Sequence, residues 1–283
     1  MLVSLHHIID GLKNANGAIP AFNVFGYEDA IAVVRAAEEV KAPVILATNK
    51  VAIAHMPIQL LGNILTTIAK NATVPVVVHL DHGADYETVA QAIMSGYTSV
   101  MYDGSQLPLA ENIRTTQEIT RFAHACGVPI EAEIGSVGYS DLQGHLTDPQ
   151  EAKRFAEETG VDTLAVAIGT VHRMEEQTAQ IDFVRLKEIE AVVDTPLVLH
   201  GSTGVSDIDI QALIKHHFVK VNIGTAIRMA FGHTMRKEME ENPYEFDRIT
   251  LFKEPMRAVQ EEVKKKLTLL QAHQYLTKEQ ILL

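Results

Sequence analysis

The feature that most constrains this chain is an alternation, repeated eight times, between a short apolar run and an amphipathic segment. The apolar runs lie at 19–24, 43–47, 76–80, 99–103, 129–134, 163–168, 196–200 and 218–223. They are too short and too β-branched for helices and read as strands buried on both faces. Between them, apolar residues recur at helical spacing over 27–40, 57–71, 85–95, 110–126, 149–159, 183–192 and 206–216. A long helix follows Thr225, another covers 256–271, and residues 3–14 form a leading helix. Strand–helix alternation implies a parallel sheet. Eight such units in 283 residues imply an α/β chain closed into a (β/α)8 TIM barrel, since barrels run to about 250 residues as one unit. An open doubly wound sheet is the alternative, but no Gly-x-Gly-x-x-Gly follows the first strand to support a dinucleotide site. No linker or low-complexity run divides the chain, so 1–283 reads as one barrel domain with extra N- and C-terminal helices.

Composition removes several function classes. A net charge of −12 argues against nucleic acid as a partner. Cys126 is the sole cysteine, which excludes an intrachain disulfide and fits a reducing compartment; its place near a helix end suits a structural role. No signal peptide opens the sequence, and no apolar run reaches the roughly 18 residues of a membrane span. A cytoplasmic protein with no membrane partner is expected.

Barrel enzymes carry their chemistry where the strands run out. Here those ends are polar: Asn23, Asp81-His82, Asp103-Gly104-Ser105, Thr170-Val171-His172, His200 to Gly204, and Asn222 to Thr225. Strand five carries Glu131 and Glu133 on one face by period-two alternation. His82, His172 and His200 end three strands at one mouth. Three neutral imidazoles with an open fourth position make a catalytic zinc site. The sole cysteine lies elsewhere, which excludes a thiolate site. Asp81, beside one of these histidines, can carry a proton. His79 has the inward parity of Asp81 and is expected in the core, whereas His6, His7, His216 and His217 read as exposed helix residues. Gly201-Ser202-Thr203-Gly204 and Asn222-Ile223-Gly224-Thr225 offer backbone N–H groups and hydroxyls after strands seven and eight. That is a recurrent phosphate position in barrels, so the pair points to a phosphorylated substrate. Taken singly, each is an ordinary strand-to-helix turn with hydroxyl caps such as Ser206.

Eight motifs together resemble the class II, metal-dependent ketose-bisphosphate aldolases of the fructose- and tagatose-bisphosphate type. They are Ala21-Phe22-Asn23-Val24, Leu80-Asp81-His82-Gly83, Ser99 to Ser105, Glu111-Asn112-Ile113, Glu131-Ala132-Glu133-Ile134-Gly135, Ala165 to His172, His200-Gly201 and Lys220-Val221-Asn222. The match covers nearly the full length. It implies that His82, His172 and His200 hold zinc and that Asp81 is the proton carrier. It implies that Gly201, Ser202, Thr203, Asn222, Ile223, Gly224 and Thr225 hold the dihydroxyacetone phosphate half, and Asn23 is grouped with them. Glu133 matches an acid near the metal, and a monovalent cation (Na+ or K+) beside the phosphate is a family feature. The expected partner is a small sugar phosphate, and the expected assembly a homodimer or homotetramer.

The sequence departs from the family at two places. The family usually has His-Gly after strand six; here it is His172-Arg173. Arginine takes glycine's positive-φ conformations only at a cost, but its guanidinium can hold an anion. The loop after strand five, Gly138 to His145, is shorter than the family's, so the residue that handles the carbon-bound proton is open between Asp141 and His145. A Schiff-base route needs a lysine in the mouth. Lys220 lies deeper and is expected to pair with a barrel carboxylate, and Lys50 is expected in a solvent-facing loop. Two other readings stand beside the aldolase. One is a family member of altered or no activity that keeps metal and sugar-phosphate binding. The other is a metal-dependent barrel hydrolase, which would want a His-x-His pair where strand one offers only Asn23.

Overall fold

The computed structural model describes residues 1–9, 16–139 and 144–275. The first half of the chain gives α1 (Leu5–Ile9), β1 (Ile19–Asn23), α2 (Tyr27–Val40), β2 (Val44–Thr48), α3 (Lys50–His55), α4 (Ile58–Asn71), β3 (Val76–Gly83) and α5 (Tyr86–Met94). There follow β4 (Ser99–Tyr102), α6 (Leu109–Ala125), β5 (Ile130–Ile134), β6 (Gly138–Tyr139), α7 (Pro149–Thr159), β7 (Thr163–Val166) and β8 (Val171–His172). The last part holds α8 (Phe183–Glu190), β9 (Leu197–Leu199), α9 (Asp207–Leu213), β10 (Phe218–Ile223), α10 (Thr225–Glu241), α11 (Arg248–Leu251) and α12 (Lys253–Leu269). Eight parallel strands close a barrel in the order β1-β10-β9-β7-β5-β4-β3-β2, as the eightfold alternation requires.

Local chemistry explains why the elements fall where they do. α7 begins on Asp148, whose carboxylate accepts from the N–H groups of Gln150 and Glu151, carries Pro149 in its first turn, and stops at Gly160 in the left-handed conformation. Asp85 caps α5 and Ser206 caps α9 in the same way. Some elements differ from the sequence reading. Lys50 does not lie in a loop: it opens α3, a short helix capped by Asn49. Helix α9 ends at Leu213, so His216 and His217 sit in a turn, and His216 is half-buried against Glu190 with Nδ1 2.8 Å from Oε2. The leading helix is observed as Leu5–Ile9, and residues 10–15 lie outside the described residues. Cys126 caps α6 and is exposed. β6 and β8 pair with each other in a separate two-stranded sheet, Gly138 opposite Val171 and Tyr139 opposite His172. Two residues are too few for any periodicity to reveal.

The apolar core lies between the barrel wall and the helices, and α12 packs against both α2 and α10. The barrel interior differs. Residues that pair in register face the same way: Met101 with Glu131, Ala165 with Glu133, Val198 with Lys220. Met101, Ala165 and Val198 form a small apolar cluster of their own, surrounded by buried polar groups that include His79, Glu131 and Lys220. At the N-terminal end of β3 the chain start closes the wall, Val76 N–H donating to Met1 O at 2.8 Å and Val3 N–H to Val76 O at 3.0 Å. The polar residues therefore rise through the interior toward the opposite end, where the strands finish.

Candidate active site

At that end lies a cavity of about 270 Å³ whose lining includes Asn23, Asp81, His82, His172, Gly201 and Thr225. The sharpest local feature is at the end of β3. Its register against β4 shifts between Leu80 and Gly83, and His82 holds φ 51. Bulges re-aim side chains beside active sites, and a non-glycine residue in the left-handed region stores strain of order 1–3 kcal/mol. Here the bulge lets Asp81 and His82, adjacent in sequence, both reach the mouth.

The three histidines meet there. Their ring centroids lie 4.7 Å apart for His82–His200, 5.3 Å for His82–His172 and 6.1 Å for His172–His200. Each offers a nitrogen within 4.8 Å of the others'. One nitrogen on two of the rings is already committed. His82 Nδ1 lies 2.7 Å from Asp103 Oδ2, and Ser105 in turn donates its N–H and hydroxyl to Asp103 Oδ1. His200 Nε2 lies 3.0 Å from Glu131 Oε1, and Lys220 Nζ donates to both Glu131 oxygens at 3.0 and 2.8 Å, all three side chains being fully buried. The carboxylates fix the ring orientations and leave the other nitrogens facing one point. His200 Nδ1 and Glu133 Oε2 are buried 3.2 Å apart, and neither has a well-formed hydrogen bond. Orphaned buried atoms beside a cluster of imidazoles fit a metal ion. A second trio, His82, Asp103 and Glu133, overlaps the first and shares its ring.

Asp81 sits beside this cluster, buried, with His82 Nε2 3.8 Å from Oδ1. Asn23 Nδ2 donates to its Oδ2 at 2.7 Å and Asn222 Nδ2 to its Oδ1 at 2.8 Å. Burial pushes the Asp81 carboxyl up, but the charges of His82, His200 and Lys220 outweigh it and hold the group well below the usual carboxylate range. The same balance, with Lys220 and His200 as the cations, keeps Glu131 ionised. Burial pulls the histidines down. The Asp81 charge and the Asp103 hydrogen bond still raise His82 to about 9, and Glu131 and Glu133 raise His200 to about 10. Burial and the charges of the His82 and His200 rings outweigh the Asp81 and Asp103 carboxylates at His172 and push it down to about 3. His79, expected in the core, is fully buried, bonds Ser99 Oγ at 2.8 Å, and is pushed down to about 3 by burial and Lys220.

The two glycine-bearing ends come together beside the histidines. Gly201 holds φ 67, and a Cβ there would meet the Val171 backbone at 2.9 Å, so β8 can pass close only because the residue is glycine. A Cβ at Gly224 would meet Asn23 Oδ1 at 2.9 Å. Ser202 does not spend its hydroxyl hydrogen on the cavity: it donates to Asn222 O at 2.5 Å and ties the two loops together. Ile223 faces the core rather than the cavity, and only its backbone can serve there. Thr203, Asn222, Gly224 and Thr225 all line the cavity. His145 does not: its side chain is exposed, and its backbone pairs with Ser136. Asp141 lies outside the described residues. Arg173 is exposed, lines the cavity, and holds φ 62, the conformation its sequence position anticipated for glycine.

Sequence reasoning passed over some cavity residues. Asp103 stood among the strand-end polar residues without a role. Lys50 and Asn49 line the mouth from the start of α3, where the Asn cap was the available signal. Arg228, also on the lining, lies three residues after Thr225 and so one turn into a helix whose start had been marked.

A parallel eight-stranded barrel with clustered imidazoles and a buried carboxylate at its C-terminal mouth is the frame of a metal-assisted lyase or hydrolase. The chain belongs to the class-II fructose-bisphosphate aldolase family, whose model matches residues 3–274. It is similar to the YdjI aldolase of Escherichia coli K12, with 36% identity, 96% of this chain and 98% of that one covered, and a TM-score of 0.86. A fructose-1,6-biphosphate aldolase assigned from Coccidioides immitis shares 29% identity over 99% of this chain and 98% of its own, also at TM-score 0.86. The Campylobacter jejuni fructose-bisphosphate aldolase, 23% identical over 96% of each chain at TM-score 0.83, shares the fold. The protein is therefore an aldolase, a lyase that cleaves a ketose phosphate, from a metal-dependent family. No helix among the described residues is long and apolar enough to cross a membrane.

Proposed function

We propose that this chain catalyses the zinc-dependent, reversible cleavage of a ketose 1-phosphate or 1,6-bisphosphate of the fructose or tagatose type to dihydroxyacetone phosphate and an aldehyde. The observation that carries this reading is the placement of Asp81, clamped as a carboxylate by two amides, against three converging imidazoles. His82, His172 and His200 would hold the ion, with Glu133 beside it. Zinc in such a site supplies Lewis-acid stabilisation of the negative charge that develops next to the substrate carbonyl. Asp81 accepts the C4 hydroxyl proton as general base, and Asn23 and Asn222 keep its oxygens oriented for that transfer. Backbone N–H groups of Gly201, Ser202, Ile223 and Gly224, with the hydroxyls of Thr203 and Thr225, bind the C1 phosphate and so position the reacting carbon. We place a monovalent cation (Na+ or K+) beside that phosphate, and take 1–283 as one catalytic domain acting in the cytoplasm as a homodimer or homotetramer.

The test is a panel of ketose 1-phosphates and 1,6-bisphosphates with coupled detection of dihydroxyacetone phosphate, alongside zinc content. The zinc-loaded protein should hold about one ion per subunit, and His172→Ala should lose metal and cleavage together. Full zinc affinity in His172→Ala would overturn the ligand set. Tight zinc and dihydroxyacetone phosphate binding with no turnover on any substrate would instead mark a binding-only member of the family.

A further inference from the structure

Asn112 stands in the first turn of α6, is buried, and does not line the cavity. Its side chain nevertheless meets both segments that carry carboxylates to His82. Nδ2 donates to the backbone carbonyl of Glu133 at 3.1 Å, and the Thr116 hydroxyl, one turn along the helix, donates to Oδ1 at 3.1 Å. Glu133 O can only accept, so these two contacts fix which end of the amide faces β5.

The bond to Glu133 takes the place of a rung of the barrel. Val100 N–H donates to Pro129 O, and the rungs of a parallel pair recur every two residues, so the same ladder would bring Gly104 N–H to Glu133 O. The pairing of β4 with β5 stops instead at Tyr102 opposite Ala132. A Cβ at Gly104 would collide with Asn112 Oδ1 and stand 2.8 Å from its Cγ, so the amide fits there only because the residue is glycine. Released from the ladder, Asp103-Gly104-Ser105 turns out of line. Ser105 closes on Asp103 Oδ1, and Asp103 Oδ2 reaches His82 Nδ1 at 2.7 Å. On the other strand the Glu133 carbonyl is pinned, and its carboxylate Oε2 lies 3.9 Å from His82 Nδ1 and 3.2 Å from His200 Nδ1. One buried amide thus stands behind both carboxylates.

We propose that Asn112 is a positioning residue of the metal centre. By replacing the last rung between β4 and β5 it sets Asp103 and Glu133 around His82, and so holds that ring in the direction that binds the ion. Its role in metal binding rests on the zinc reading above; its hold on His82 through Asp103 does not.

The test compares Asn112→Ala, Gly104→Ala and Thr116→Val with wild type on the full chain. With isotopically labelled histidine, the charge-assisted bonds His82–Asp103 and His200–Glu131 each give a downfield imidazole N–H resonance, the first assigned by its loss in Asp103→Ala. Asn112→Ala should move or abolish the His82 resonance and leave that of His200. Zinc affinity, measured by chelator competition, should fall about 10–100-fold. Gly104→Ala pushes the amide away with its added Cβ and should do the same. Thr116→Val only frees the amide to turn, and its effects should be smaller in the same direction. An unmoved His82 resonance in folded Asn112→Ala overturns the proposal, as does an undiminished affinity for zinc. Equal shifts of both resonances, which a general loosening of the barrel would give, overturn it too. Where Asn112→Ala does not fold, Thr116→Val decides by the same two readings. If wild type takes up no zinc yet Asn112→Ala loses the His82 resonance alone, the hold on His82 stands and the zinc reading falls.

Discussion

Asp81 and Arg173 line the same cavity and are held in opposite ways. Asp81 is buried, with both carboxylate oxygens fixed by amides and its charge favoured by the nearby His82, His200 and Lys220, the last two of which are joined through Glu131. Arg173 is exposed and follows a two-residue strand, and its backbone holds a conformation that arginine disfavours. The inner groups are interlocked, because an unpaired buried charge is expensive and each one must be answered by another. The outer groups are solvated, so each can change without unfolding its neighbours.

The sharpest attempt to break that comparison is at Asp81. Asp81→Ala should lower C–C cleavage by about 10²–10⁴, the range of general-base effects, while zinc content stays at the wild-type level. Exchange of the C3 proton of dihydroxyacetone phosphate with solvent should fall much less, because another group handles that proton. Wild-type cleavage rates in this variant would remove Asp81 from the mechanism.

Deeper in the network, Lys220→Met should destabilise the fold by about 3–5 kcal/mol in urea unfolding, since Glu131 would be left buried without its cation. Adding Glu131→Gln should recover much of that loss. Zinc affinity should fall about 10–100-fold in the single variant, because Glu131 orients His200. Independent, additive losses in the double variant would show that the inner groups are not interlocked.

The smallest effect is expected at the rim. Arg173→Gly and Arg173→Ala both remove the guanidinium, so both should raise KM about tenfold, or about 1.4 kcal/mol, for a substrate with a distal anion. Only the glycine variant also relieves the left-handed backbone, and it should be more stable than the alanine variant by about 1 kcal/mol. Equal thermal stability of the two would show that the conformation at 173 stores no strain.

The sequence by itself determined the barrel and the polar residues at its strand ends. Period and length are local properties: 149–159 carries its own cap, proline and terminal glycine, and the helix begins and ends there. The inward parity of His79, Asp81, Glu131, Glu133 and Lys220 follows from alternation along three strands, and all five are buried. Tertiary structure alone decided which of these groups touch. Nothing local assigns Asp103 to His82, Glu131 to His200, or the amides of Asn23 and Asn222 to Asp81; those contacts join residues 21 to 141 positions apart. The bulge that turns His82 to φ 51 and the pairing of β6 with β8 are likewise products of register and closure. A single sequence shows which chemistry each strand carries to the mouth. The distances and partners that give those groups their charge and direction arise only when all eight strands close on one axis.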